Sequence, residues 1–298
     1  MKTCKAVLRA LALVLVSMVA ATAADAPKLT LKFTTFKISG AVQTFPAAVN
    51  NSGVIVGLYQ DSSAAYHGFM LNGKKATIID DPNGTNTECQ GVNLDGAISI
   101  VGFYTNSGGN SVGFLYTSKN KQFTDIAGPA GATASAADSI NDKGEIVGSY
   151  VDSAGVTHGF YLAGGKYHYP LDVPGASATF PAAINDGGNI VLYWVDSKGA
   201  YESSLLPNYK SRKYKRINVP GAASSFGQNL NSVGDVPYAW EDSNNNVHGA
   251  LLLGGKYYKF DRPKSVYTMA NGINDHHLIV GSNIPTGGSD WEGYKATY

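Results

Sequence analysis

The chain is short of cysteine, with only Cys4 and Cys89 in 298 residues. Cys4 falls in an N-terminal segment expected to be removed, so no intramolecular disulfide can form and the core alone must hold the fold. Charge is scarce as well. Asp, Glu, Lys and Arg make up 15% of the residues and the formal net charge is +1, against about a quarter charged in an ordinary domain. No long-range field therefore points to nucleic acid or another polyanion. The cluster Lys210, Arg212, Lys213, Lys215 and Arg216 is a local exception that reads as a solvated hairpin. A third lack is of long apolar runs. Residues 10–21 fall short of the ~20 needed to span a bilayer, so no membrane span is expected. Lys2, Lys5 and Arg9 precede this run and Ala21-Thr22-Ala23 follows it, the pattern of a secretory signal peptide over 1–23. A short linker is expected over 24–30 and a single domain over 31–298.

Helical periodicity is missing, while the chain holds 35 glycines. What replaces it is a repeat. An apolar residue followed by Asn recurs at Val49-Asn50, Val92-Asn93, Ile140-Asn141, Ile184-Asn185, Leu230-Asn231 and Ile273-Asn274. Each Asn opens a turn, as in Asn141-Asp142-Lys143-Gly144, where Asn and Asp bond their own backbone and Gly supplies positive φ. Short β-branched runs such as Ile146-Val147-Gly148 follow. A second turn, Asp152-Ser153-Ala154-Gly155, leads to a third strand beginning His158-Gly159-Phe160. A fourth strand closes on Asp172-Val173-Pro174-Gly175-Ala176. Four short antiparallel strands per repeat cannot bury both faces of their sheet alone, and radial packing of six such sheets solves that. The expected fold is all-β, a six-bladed β-propeller of four-stranded antiparallel blades, with the parallel β-helix as the competing repeat architecture.

The last repeat stops at its third strand, around Trp291-Glu292-Gly293-Tyr294. The missing strand aligns with residues 31–41, ahead of the first Asn anchor. The N-terminal strand is thus expected to complete the last blade and leave no open sheet edge.

The combined pattern over 140–160, Ile-Asn-Asp-x-Gly-x-Ile-Val-Gly-x-Tyr-x-Asp-Ser-x-Gly-x-x-His-Gly-Phe, with Asp-Val-Pro-Gly-Ala at 172–176, resembles the bacterial extracellular HAF-repeat family. The resemblance covers essentially the whole mature chain and implies an exported β-repeat protein, periplasmic or secreted. It supplies no catalytic residues. Copies depart from the pattern in places: Ser203-Ser204-Leu205 stands where His-Gly-Phe belongs, and Asn283 where the Tyr belongs.

A site is normally made once per molecule and a turn six times, so residues present in nearly every repeat read as structural. His67, His158 and His248 occupy equivalent positions and read as packing residues, not a metal triad. Asp242-x-Asn244-x-Asn246 starts like a Ca²⁺ loop but has Leu253 where the bidentate Glu would fall. Neither a metal nor a cofactor is expected. What remains is positional. Phe45, Phe180 and Phe226 on the segments leading into first strands, and Tyr59, Tyr104, Tyr150, Trp194 and Trp240 near the ends of second strands, are expected around the mouth of the central channel. Exposed there, they would stack on sugar faces. The first functional reading is therefore a monomeric, non-catalytic binding module for a glycan, a cell-envelope component or a protein. A structural or assembly protein is the alternative, as is a glycan-active hydrolase or lyase using acids such as Glu88 and Asp138.

Overall fold

The computed structural model describes residues 29–93 and 97–298. The expected signal peptide lies outside the described residues. Twenty-four strands fall into six four-stranded antiparallel sheets. The first blade is typical: β2 (Gln43–Val49), β3 (Ile55–Gln60), β4 (Tyr66–Asn72) and β5 (Lys75–Ile79) pair in chain order. The first strands of neighbouring blades touch one another, β2 meeting β6 (Thr85–Val92) on one side and β22 (Ser265–Ile273) on the other, so they line the axis of a ring. The last blade has the order β1-β24-β23-β22, where β1 is Lys32–Phe36, β23 Ile279–Pro285 and β24 Glu292–Thr297. There β1 runs antiparallel to β24 with Phe33 opposite Ala296, as the truncated last repeat requires.

The six anchor asparagines close the ring a second time. Each lies at the inner end of a first strand, buried, with its side-chain oxygen accepting backbone N–H groups of its own turn, as Asn141 Oδ1 accepts from Lys143 (3.1 Å) and Glu145 (2.9 Å). Each Nδ2 then donates to the backbone carbonyl of the next anchor. The donors run Asn50 to Asn93 (3.1 Å), Asn93 to Asn141 (3.3 Å), Asn141 to Asn185 (3.1 Å), Asn185 to Asn231 (3.0 Å), Asn231 to Asn274 (3.5 Å) and Asn274 back to Asn50 (2.9 Å). One residue type thus makes the turn, satisfies its own buried amide and ties every blade to its neighbour.

Within the blades a cross-strand pair sets the core. Gly57 faces Phe69, Gly102 faces Phe114, Gly148 faces Phe160 and Gly281 faces Tyr294. These rings are fully buried, and they lie over the flat backbone that Gly leaves. The two blades that depart from the pattern exchange the roles: Leu192 faces Ser204 and Tyr238 faces Ala250. The bulky partner has moved from the third strand to the second, which keeps the filled volume and so the packing. Copies that look degenerate in sequence are compensated in space.

The repeated histidines are clamps. His67 Nδ1 lies 2.8 Å from Asp80 and its Nε2 3.4 Å from Asp61; His158 sits in the same way between Asp172 (2.7 Å) and Asp152 (3.3 Å). The rings stack on Tyr59, Tyr150 and, for His248, Trp240, with centroids 5.0, 5.3 and 4.6 Å apart. Burial alone would lower the pKa of His67 and His158, but the carboxylates outweigh it and raise both. A raised histidine contributes stability that is fully present below its unfolded value of about 6.5 and is lost as pH rises through the folded value. Asp152, held down first by the backbone N–H of Val156, and Asp61, held down first by Ser63, contribute in the opposite sense, above the ordinary carboxylate range. We expect the thermal midpoint to fall between about pH 6 and about pH 8, with a shallower fall in a His67→Gln, His158→Gln variant. A fall as steep in that variant as in the parent would assign the dependence elsewhere.

Candidate ligand-binding site

Counting back from each anchor Asn places two layers of first-strand side chains above the asparagine ring, because every second residue of a strand shares a face. Three residues before the anchors stand Ala47, Gln90, Asp138, Ala182, Gln228 and Asn271, and all six line one cavity at the opposite end of the channel. Five before, Phe45, Glu88, Phe226 and Met269 line it too, while Phe180 stacks face to face on its wall residue Tyr193 (5.0 Å, 15°). Leu58, Tyr193, Ala239, Glu241 and Val247 from second and third strands, with Trp291 just ahead of β24, complete the walls. The cavity holds about 140 Å³, well below the ~300–1,000 Å³ of sites for drug-sized ligands.

The floor is amide-rich. Asn271 Nδ2 donates to the Pro46 carbonyl (2.8 Å) and to Ser282 Oγ (3.2 Å), and Gln90 Nε2 donates to Glu88 (3.3 Å). Three carboxyl groups, from Glu88, Asp138 and Glu241, share the space. Glu88 is 1% exposed. Burial pushes Asp138 up to about 7, with the Ser149 hydroxyl and N–H working against it. Burial also raises Glu241, against the Ser224 hydroxyl and with help from the charge of Asp242. Tyr193 is raised by burial and then by the charge of Asp138.

The sign for Asp138 follows directly. A carboxyl with a folded value of about 7, above its unfolded 3.8, stabilises the fold only while protonated; that contribution is lost as pH rises from the unfolded value through the folded one. At about pH 8 Asp138→Asn is expected to raise stability by about 2 kcal/mol or more, read by chemical denaturation, with little gain at about pH 4. An equal gain at both pH values, or none, would remove the buried charge as the cause.

Tyr59, Tyr104, Tyr150, Trp194 and Trp240 are a correction to the expected aromatic ring at the mouth. All are buried, between 3% and 9% exposed, in the packing between blades and away from the cavity wall. The faces of the two tryptophans are also occupied. Arg216 lies 5.2 Å over Trp194, and Trp240 is held between Lys259 (4.3 Å) and His248. Strand alternation gives the reason, since the residue one step earlier, Leu58, Tyr193 or Ala239, takes the opposite face and meets the cavity. Phe45 and Phe226 line the cavity, as do Glu88 and Asp138. Trp291 was not among the expected aromatics. Its signal is a departure from the repeat: it aligns with Tyr66, Thr157, Tyr201 and Val247, a position that varies from blade to blade.

Among the described residues no group of three or more His, Cys, Asp or Glu is placed to hold a metal, and no helix is long and apolar enough to cross a membrane. Cys89 is fully buried, and burial pushes its thiol up.

No protein-family model matches the sequence, and no curated protein matches it. Solved structures match the fold. TolB from Acinetobacter baumannii aligns with a TM-score of 0.56 at 12% identity, over 80% of this chain and 63% of that one. This chain therefore spans less than two thirds of that relative. The SapL1 lectin in complex with α-methyl fucoside gives 0.54 at 14% identity over 86% and 95%. A microbial sialidase gives 0.55 at 13% over 86% and 68%. At such identities the likeness carries the architecture alone: the chain is a six-bladed β-propeller.

Proposed function

We propose that this protein is an exported, non-catalytic binding propeller of the HAF-repeat kind, acting as a single chain and taking one sugar ring or small head group of a glycan or envelope component at the channel mouth. One observation carries the reading. At the equivalent first-strand position, where structural residues repeat, the blades present Ala47, Gln90, Asp138, Ala182, Gln228 and Asn271, and these converge on one cavity walled by aromatic rings. Convergent polar groups in an apolar concavity are the usual form of a ligand site, and a fucoside-bound lectin shares the architecture. Export rests on the N-terminal charge, apolar run and small-residue step.

The test is a screen of monosaccharides and envelope glycans against the mature protein by tryptophan fluorescence, since Trp291 is the tryptophan on the cavity wall. Binding should change the emission and be lost in Asn271→Ala, while Trp194→Phe leaves it intact. Binding that survives Asn271→Ala and disappears in Trp194→Phe would put the site elsewhere.

A second reading, a glycan-active hydrolase, is favoured by the pairing of Asp138, half protonated near neutrality, with Glu88 in the same cavity, the kind of acid and base such chemistry needs. Release of reducing sugar, abolished by Asp138→Asn, would decide for it.

A further inference from the structure

Accepting the channel-mouth cavity as a ligand site, we propose that its ligand carries a positively charged ammonium group, as in a deacetylated amino sugar or a choline-type head group. The argument starts from what the cavity lacks. Three of its lining residues are acids, and none is Lys, Arg or His. Enclosing carboxylates among apolar walls is costly unless a cation or hydrogen bonds offset it.

The walls are matched to the same charge. Phe45, Tyr193, Phe226 and Trp291 ring the space, and aromatic faces attract ammonium groups, the more so where water is excluded. Phe45 and Trp291 lie with centroids 5.9 Å apart at 45°, and Phe226 meets Tyr193 edge-on at 5.9 Å and 70°, so rings from four blades bound the cavity at different tilts. A neutral sugar would use one flat ring and the amide floor and gain nothing from the charge of the three carboxyl groups. An anionic sugar would meet like charge. The basic side chains nearest in the fold to aromatic residues, Arg216 and Lys259, are spent on Trp194 and Trp240 outside the cavity.

The titration of Asp138 fits this assignment. Lining the same cavity are Glu88 from β6, Tyr193 from β15 (Ile190–Val195) and Glu241 from β19 (Val236–Glu241), and the Ser149 hydroxyl from β11 (Ile146–Val151) lies 3.4 Å from the Asp138 carboxyl. None of these is a cation. A bound ammonium would favour the ionised form, so binding should release a proton near neutral pH and tighten as pH rises.

Calorimetric titration of the mature protein with glucosamine, N-acetylglucosamine, choline and glucuronate decides the matter. Glucosamine is expected to bind at least about tenfold more tightly than its N-acetyl form, whose amide removes the charge and keeps the ring. Choline, whose charge does not titrate, should bind more tightly at about pH 8 than at about pH 6, with a heat that depends on the buffer's protonation enthalpy. Glu241→Gln and Asp138→Asn, each checked to keep a cooperative thermal unfolding transition, should each weaken choline and not N-acetylglucosamine. Equal binding of the two hexosamines, or preference for glucuronate, would overturn the ammonium assignment while leaving the cavity a binding site. Binding by none of the four, together with silence in the wider glycan screen, would overturn both.

Discussion

Deleting residues 31–41 is expected to lower the unfolding temperature by roughly 10–20 °C, or to abolish cooperative unfolding. The segment does more than pair with β24. Phe33 meets Tyr294 edge-on at 5.3 Å and Phe260 at 6.1 Å, and Leu31 packs into the same cluster. Ile38, 3% exposed, belongs to the cluster of the next blade with Val49, Ile55 and Phe69, and its N–H donates to Thr44 Oγ1 at 3.4 Å. Arg262 reaches back to Thr35. Removing these contacts takes away burial of several large side chains at about 1.5–3 kcal/mol each, against a net stability of about 5–15 kcal/mol for a whole domain. A shift of roughly 2–4 °C per kcal/mol then gives the stated range. It also leaves β24 as an open edge, so aggregation on heating should accompany the loss. A peptide of residues 29–41 added to the truncated protein should restore part of the midpoint. An unchanged midpoint in the truncated protein would show that three strands suffice for the last blade.

Gly148→Ala is expected to cost more than about 4 kcal/mol, the range reserved for severe core defects. A Cβ there would lie 2.1 Å from the Ala136 carbonyl oxygen and 2.7 Å from the Phe160 ring. A ring can turn; a paired backbone carbonyl cannot move without breaking its ladder. Adding Phe160→Ala should therefore fail to rescue the variant. Gly144 offers the contrast. It sits at φ 72° with nothing near its missing side chain, so Gly144→Ala should cost only about 1 kcal/mol of backbone strain. Denaturant unfolding of the two variants separates packing from conformational freedom, and similar costs for both would contradict the close approach.

The fold was legible because its turn chemistry recurs: Asn stands at all six anchors and Gly three residues on in five of them, with His277 in the sixth. Asn and Gly at fixed offsets specify hairpin tips whatever the strands contain, and the third strand of the last repeat ends the chain one strand short, which pointed to residues 31–41. The inter-blade ring was half legible: the asparagines announced their turns, but nothing local shows that an Nδ2 will reach a carbonyl 43 to 48 residues on. The partners of the histidines were hidden for the same reason, since Asp80, Asp172 and Asp261 lie in the segments that follow the outer strands. The aromatics singled out near the ends of the second strands fall beside the cavity wall and not on it. Tyr150 and Trp240 attract attention as aromatics, yet they recur because they pack on His158 and His248. The cavity is built from their neighbours, where the blades differ.

The exchanged pairs of the fourth and fifth blades bear on how such a chain can change. Gly148 with Phe160 and Leu192 with Ser204 are each sound combinations, but a crossover between the second and third strands would make hybrids of the two. One hybrid sets Gly against Ser and leaves a void; the other sets Leu against Phe and overfills the same space. Recombination among the repeats is thus tolerated at the boundaries between blades and penalised inside them, so the unit of inheritance in this ring is the whole blade.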